Sequence, residues 1–538
     1  MRRFIKLLML SAIALAIKGC GGGFAPSPLD PYFVVQPLAT SQETTSPVIE
    51  RPPPQPVRGG HLHIAMPLPA TLNPLLNSDP HLAQVLGLIF EPIVIFDEEL
   101  RPVANPAIIE NISLAPSGQS VTISLRNNIF WEDGEAISSA DIAFSIDILR
   151  NNAPQTAIFR PNVAAISSHN IVDAHTIHIN LASPMWRIMY YLDFPIIPAH
   201  YYTGVSTSNL QHPRNMHPIG NGAFRFLSYT PANQLELIAN STAPAGRPYI
   251  DRITATVLRD MADNIHAFEQ GVVDVFAGQT SLWGRLRARG KNLSGHVAAS
   301  DFEFIGFNHA RATFGELAMR QAIAYFVGKN ALPIHENSWI AIAAPEPSPA
   351  SFAELGFTRG AHGILERQLS PGLPSTPLAM TVIVNEENAR TMRAASELQA
   401  ILTAEGVAVS LYTLEPAAFT ARLAAGDFDI MLGTINLGYR PNLEFLRGGN
   451  RAAGNYINFD SADFNRLLDN MNLATNANFF AAAAQLVQEY IAENLPIIGL
   501  GFLEESFFTS PHLHGNLSPA GRAIFINAQS WFILDNTD

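Results

Sequence analysis

Residues 121–150 read VTISLRNNIFWEDGEAISSADIAFSIDILR. Val121, Ile123 and Leu125 alternate with polar neighbours, the period-two pattern of a strand with one buried face. Asp133-Gly134 supplies a turn. Ser138, followed three residues on by Asp141, opens an amphipathic helix in the manner of a capping box, in which each side chain accepts the other's backbone N–H. Strand, turn and helix therefore follow one another with local signals that all agree.

The same alternation extends outward. Ile253 to Leu258 reads as a strand, Met261 to Gln270 as a helix and, after Gly271, Val272 to Phe276 as a second strand. A second β-α-β unit runs from Thr381–Val384 through a helix with Ala394, Leu398, Ile401 and Leu402 on one face. It stops at Gly406 and resumes at Val407–Leu411. A helix from Phe419 to Ala425 ends at Gly426 before the strand Phe428–Leu432. Near the end, Phe480, Ala483, Ala484, Val487 and Ile491 form an apolar stripe that reads as core, and Pro496 stops that helix. Two separated α/β regions predict two lobes, and ligands of open α/β sheets sit beyond the carboxyl ends of the strands.

The chain has 538 residues, 47% of them hydrophobic, enough for a large core divided among lobes. Its net charge of −13 speaks against nucleic-acid binding, which needs clustered Lys and Arg. Met1–Lys6 is basic, Leu7–Ile17 is apolar and Gly19-Cys20 closes the segment, the pattern of a signal peptide. Cys20 is the sole cysteine, so no intrachain disulfide forms. Ile17-Lys18-Gly19-Cys20 resembles a bacterial lipobox, with Lys18 departing from the small or apolar residue usual there. The resemblance implies a lipid on Cys20 and a membrane-anchored, extracytoplasmic protein. Residues 21–58 are rich in proline and read as an extended tether.

Taken as wording, residues 121–150 resemble the family-5 extracellular solute-binding proteins, whose signature joins an LR, a W-x-DG turn and a Ser- or Ala-started DI/DV helix. Thr71-Leu72-Asn73-Pro74, Phe90-Glu91-Pro92, PIGNGAFRF at 218–226, FEQGVVD at 268–274, Phe307-Asn308, MRQAI at 319–323 and GDFD at 426–429 fall in the same order. The resemblance covers about residues 59–535. It implies an α/β, two-lobed periplasmic-binding-protein-like fold with an additional α/β domain inserted in the first lobe. The first lobe would comprise 59–95, 215–300 and 500–538, the inserted domain 96–214, and the second lobe 301–499. Crossings near Phe302 and Ile498 would form the hinge. The implied function is capture of peptides or similar small solutes for the permease subunits of an ABC importer, by a monomer without cofactor or catalysis. A ligand-sensing or chaperone-like surface lipoprotein is the alternative on the same scaffold.

Peptide binders of this family hold the ligand between the lobes and pair its amine with a carboxylate after the GDFD-type strand. Here the matching stretch, GTINLGYRPNLEFL at 433–446, has no Asp; Leu437 stands in that place and Arg440 precedes the proline. Either another carboxylate such as Glu444 or Asp79 serves, or the ligand lacks a free amine. The cleft candidates are Asn77, Ser78, Phe159, Thr434, Asn436, Tyr439 and Arg440. Two His-x-His pairs, 61/63 and 512/514, come without a Cys or carboxylate at ligand spacing and read as structural. There is no G-x-S-x-G or HExxH to suggest a hydrolase.

Overall fold

The computed structural model describes residues 54–97, 101–259, 261–279, 292–329, 352–368, 370, 372, 374–437, 443–519 and 523–534. Cys20, Tyr439 and Arg440 lie outside them.

The stretch 120–147 folds as its pattern predicts. Ser120–Leu125 is a strand with Val121, Ile123 and Leu125 buried. It sits in a four-stranded antiparallel sheet between Ile109–Leu114 and Thr176–Leu181, with Ile166–Asp173 outermost. Gly134 makes the turn at φ +91° and donates to the Trp131 carbonyl at 3.0 Å. Ser138 and Asp141 form the capping box of helix Ser139–Asp147. The Asp141 carboxylate also accepts from the Ala199 backbone and, at 3.4 Å, from the fully buried Trp131 indole. One short side chain thus ties helix, turn and a distant loop together.

A second four-stranded sheet joins Phe224–Thr230, Gln234–Ala239 and Arg252–Val257 as a meander, with His61–Met66 parallel to the last. Leu62, Ile64 and Met66 face the core, which turns His61 and His63 the other way. One continuous core joins this sheet to the 109–181 sheet.

The third sheet has six strands in the order Val275–Gln279, Ile497–Thr509, Asn292–Phe307, Ile430–Asn436, Ala379–Asn385 and Ala408–Leu414, the last three mutually parallel. Its two faces carry separate cores. Val382, Val384, Ile430 and Leu432 pack with helices Ala389–Ala404 and Leu317–Lys329 on one side. Ile383 and Met431 pack with Ala462–Asn472 and Ala477–Asn494 on the other. Near-continuous apolar strands covered on both faces are what parallel sheets require. The strands 292–307 and 497–509 run antiparallel along their length, with register shifts between Ala298 and Phe302 and between Glu303 and Phe304.

Several boundaries differ from the sequence reading by a few residues, as in helix Pro416–Ala425 and strand Ile430–Asn436, and helix ends show the cause. Val272 is exposed in the turn after helix Met261–Glu269, and the strand starts only at Val275, because Gly271 at φ +73° and the Val272 and Val273 N–H groups folding back on the Ala267 carbonyl close the helix first. The late apolar helix ends at Asn494, with Leu495 in the left-handed region ahead of Pro496, which restricts the residue before it. Its stripe is core as read: Phe480, Val487 and Ile491 are buried.

Candidate functional site

The glycines of PIGNGAFRF, read as leading into a strand, work by close backbone approach. Asn221 and Gly222 both donate to the Ile89 carbonyl, at 3.1 and 2.7 Å, and Phe224 donates to Leu88 at 2.9 Å. A Cβ on Gly220 would fall 2.1 Å from the Ile89 oxygen. This clamp fixes the segment 88–96, which forms one wall of a cavity of about 220 Å³. Helix Pro80–Leu86 and the segment 523–529 provide other walls; Phe159, Asp193 and Pro195 close the inserted-domain side. The lining is apolar but for a few groups, among them Glu91 and Asp193; among the described residues it includes no Lys, Arg or His. Glu91 accepts from Asn105 Nδ2 at 2.8 Å, and burial pushes its carboxyl up despite that bond. Asp193 accepts from the Asn162 amide.

Of the candidates from sequence, Phe159 lines this cavity. Asn77 is buried and closes its own loop, accepting from the Asp79 N–H and donating to the Asp79 carbonyl, while its backbone oxygen takes the Ile158 N–H. It thereby braces Phe159 from below. Ser78 beside it is exposed.

Across the molecule, Thr434 and Asn436 project on the same, exposed side at the carboxyl end of their strand. There they meet residues the sequence reading missed. Asn388 caps helix Ala389–Ala404 through its Oδ1 and turns its Nδ2 to Thr434 Oγ1 at 2.9 Å and to Glu303 at 3.1 Å. Arg390 pairs with the buried Glu303 at 3.1 Å, and Asn436 donates to Asp301 at 2.7 Å. An Asn ahead of a helical pattern was a visible cap; that it would gather charges from residues 303 and 390 was not.

The proposed amine carboxylates are engaged elsewhere. Leu437 is buried in a core beside Phe445 and Phe302, so a side chain there points away from solvent. Asp79 caps helix Pro80–Leu86 by accepting from His81 and Leu82 N–H groups. Glu444 is clasped by both Arg447 nitrogens, at 2.6 and 3.0 Å, and by Asn472. Asn472 in turn faces Arg187 of the inserted domain at 3.5 Å, and the Arg187 guanidinium lies 4.2 Å above the Phe480 ring. Trp186 packs on the same ring at 5.9 Å. These contacts bring residues 186–187 against helices Ala462–Asn472 and Ala477–Asn494.

His61 and His63 stack at 4.2 Å, with His61 bonded to Thr254, and His512 pairs with the buried Asp274 at 2.9 Å. Among the described residues no group of three His, Cys, Asp or Glu is placed to hold a metal ion. Among them also, no helix is long and apolar enough to cross a membrane.

Residues 104–333 match the family described as "Bacterial extracellular solute-binding proteins, family 5 Middle". A Brucella ovis protein named as an ABC transporter peptide-binding protein is 26% identical over 252 residues, 45% of this chain and 46% of that protein, so the match spans about half the length of that relative. The oligopeptide-binding protein AppA of Bacillus subtilis is 19% identical over 89% of this chain and 92% of its own. The solved structure of the ABC transporter substrate-binding protein CtaP of Listeria monocytogenes superposes with a TM-score of 0.74 at 19% identity, covering 89% of this chain and all of that one. The architecture is therefore the two-lobed periplasmic-binding-protein fold with an additional domain inserted in the first lobe, and residues 104–333 are those of the bacterial extracellular solute-binding proteins of family 5.

Proposed function

We propose that this protein captures a peptide or similar small solute between its two lobes outside the cytoplasm and delivers it to the permease of an ABC importer, binding without catalysis. The observation that carries this reading is the pair of half-sites. A cavity on the first lobe and a polar cluster at a strand end on the second belong to separately cored bodies. In this reading the first lobe comprises 59–95, 215–300 and 500–538, the inserted domain 96–214 and the second lobe 301–499. The register shifts at 298–304 supply the hinge, since irregular pairing lets two strands bend without losing a regular ladder. Phe159, with Asn77 and Ser78, serves one face of the cleft; Thr434 and Asn436, with Tyr439 and Arg440, serve the other.

Peptides released from the purified protein by denaturation are identified by mass spectrometry, then returned to ligand-free protein. The radius of gyration in solution is expected to fall on addition, as the lobes close. Arg187→Ala and Phe480→Ala are expected to weaken binding by about two- to thirtyfold, because a cation over an aromatic ring contributes about 0.5–2 kcal/mol. An unchanged radius with saturating ligand removes the closure mechanism.

The reading includes a monomer held at the membrane by lipid on Cys20, with residues 21–58 as tether. Metabolic labelling with a radiolabelled fatty acid is expected to mark the wild type and not Cys20→Ala. Equal labelling of the two removes the anchor.

A further inference from the structure

The first-lobe cavity has an unusual charge pattern for an apolar space. Its described walls include Phe90, Phe96, Phe159 and Phe525, two carboxyls and, among the described residues, no basic side chain. The described hydrogen bonding of the Glu91 carboxyl is the single amide of Asn105, which engages Oε2. A carboxyl in such surroundings either stays protonated or takes a cation, because an ionised acid in a poorly solvated space is costly alone. Asp193, from the opposite wall, adds a second carboxyl to the same space. Hydrophobic walls favour a hydrocarbon stem, and the acids favour a positive tip.

We infer that this cavity takes a compact apolar group ending in a cation, an ammonium or guanidinium, with Glu91 as its principal counter-charge and Asp193 as the second. The inference rests on the solute-binding reading above and gives the ligand a chemical class. It also relocates the positive end. The carboxylates weighed from sequence, Asp79 and Glu444, are held by a helix terminus and by Arg447, whereas Glu91 faces an open volume. Binding then carries a proton signature. Burial pushes the Glu91 carboxyl up and an arriving cation draws it down again, so binding releases whatever proton the carboxyl holds at the working pH, more of it at lower pH. Among the described residues the other titratable group lining the volume is Asp193.

Calorimetry with two N-acetylated tripeptides, identical but for lysine or norleucine at the central position, tests this. The wild type is expected to favour lysine by about tenfold or more, corresponding to about 1.4 kcal/mol per decade. Its binding heat for the lysine peptide should change between buffers of different ionisation enthalpy. Glu91→Gln, which keeps an oxygen for Asn105, should reduce the preference to near unity and abolish the buffer dependence. Asp193→Asn should reduce the preference in part. Equal wild-type affinity for the two peptides overturns the inference and leaves solute binding standing. Equal weakening of both by Glu91→Gln makes that residue a structural cross-link and also overturns it. No binding of either peptide, with no peptide co-purifying, overturns the peptide reading itself.

Discussion

Gly220→Ala is expected to destabilise the first lobe by on the order of 3 kcal/mol or more, the upper range for overpacking. The added methyl would lie 2.1 Å from the Ile89 carbonyl oxygen and 2.6 Å from the Ile89 Cγ2, and the obstacle is largely backbone, which does not swing aside as a side chain tip does. Relief requires the 220–222 loop to lift from residues 88–89, breaking the Asn221 and Gly222 bonds to the Ile89 carbonyl. Leu88, Phe90 and Glu91 line the cavity, so ligand affinity should fall with stability. Gly315→Ala is the control: the nearest neighbour of its Cβ is 3.9 Å away, and its denaturation midpoint should stay within about 0.5 kcal/mol of wild type. An unchanged urea midpoint for Gly220→Ala means the loop does not pack as described.

The second large effect is a pair of opposed pH dependences. Burial pushes the Glu132 carboxyl up to about 7, against the bond it receives from the Gly220 N–H and the pull of Arg225. Its Oε2 is buried with no hydrogen-bond partner. Between about 4.5 and 7 the folded chain keeps a proton that the unfolded chain has released, so stability falls as pH rises through this window. The full loss, on the order of 3 kcal/mol, is present above pH 7. Burial acts oppositely on His309, whose ring bonds the Pro496 carbonyl at 3.1 Å and whose pKa falls to about 4. Here the unfolded chain holds the extra proton between about 6.5 and 4, so stability is complete above that window and declines by a similar amount as pH drops through it. In the division into lobes proposed above, Glu132, whose N–H bonds the Gly220 carbonyl, falls where the inserted domain meets the first lobe, and His309 falls in the second. Scanning calorimetry from pH 8 to 5 should therefore show the first-lobe transition moving up and the second-lobe transition moving down. Glu132→Gln should flatten the former by stabilising the protein at pH 8, and His309→Gln the latter by protecting it at pH 5. Parallel shifts of both transitions in the wild type would contradict the assignment.

Much of the fold was legible because its signals are local. The alternation of Val121, Ile123 and Leu125, the Ser138/Asp141 box, the turn at Gly134 and the stripe Phe480–Ile491 each depend on residues a few positions apart, and backbone geometry converts such spacing directly into strand, cap or helix face. The ordered landmarks from Thr71 to Asp429 then carried the family. Where local reading missed, at Val272 and Leu495, the decision lay in how a helix satisfies its last carbonyls, which depends on the conformation of one or two residues beyond the pattern.

The site was legible only in outline. Phe159, Thr434 and Asn436 came from the family's order, and the structure puts the first in a cavity wall and the other two at a strand end, but the charged groups beside them come from far apart in the chain. Glu91 and Asp193 share one cavity, and Glu303, Asn388 and Thr434 share one cluster. In sequence Glu91 is one acid among 46 acidic residues. Sequence by itself determined the elements, the α/β class and the family, because periodicity and caps are short-range properties. Only the tertiary structure decided which carboxyls line an apolar cavity and which cap a helix or pair with an arginine. A side chain's solvation and partners are set by whatever the packed fold brings within a few ångströms, and separation along the chain does not constrain that.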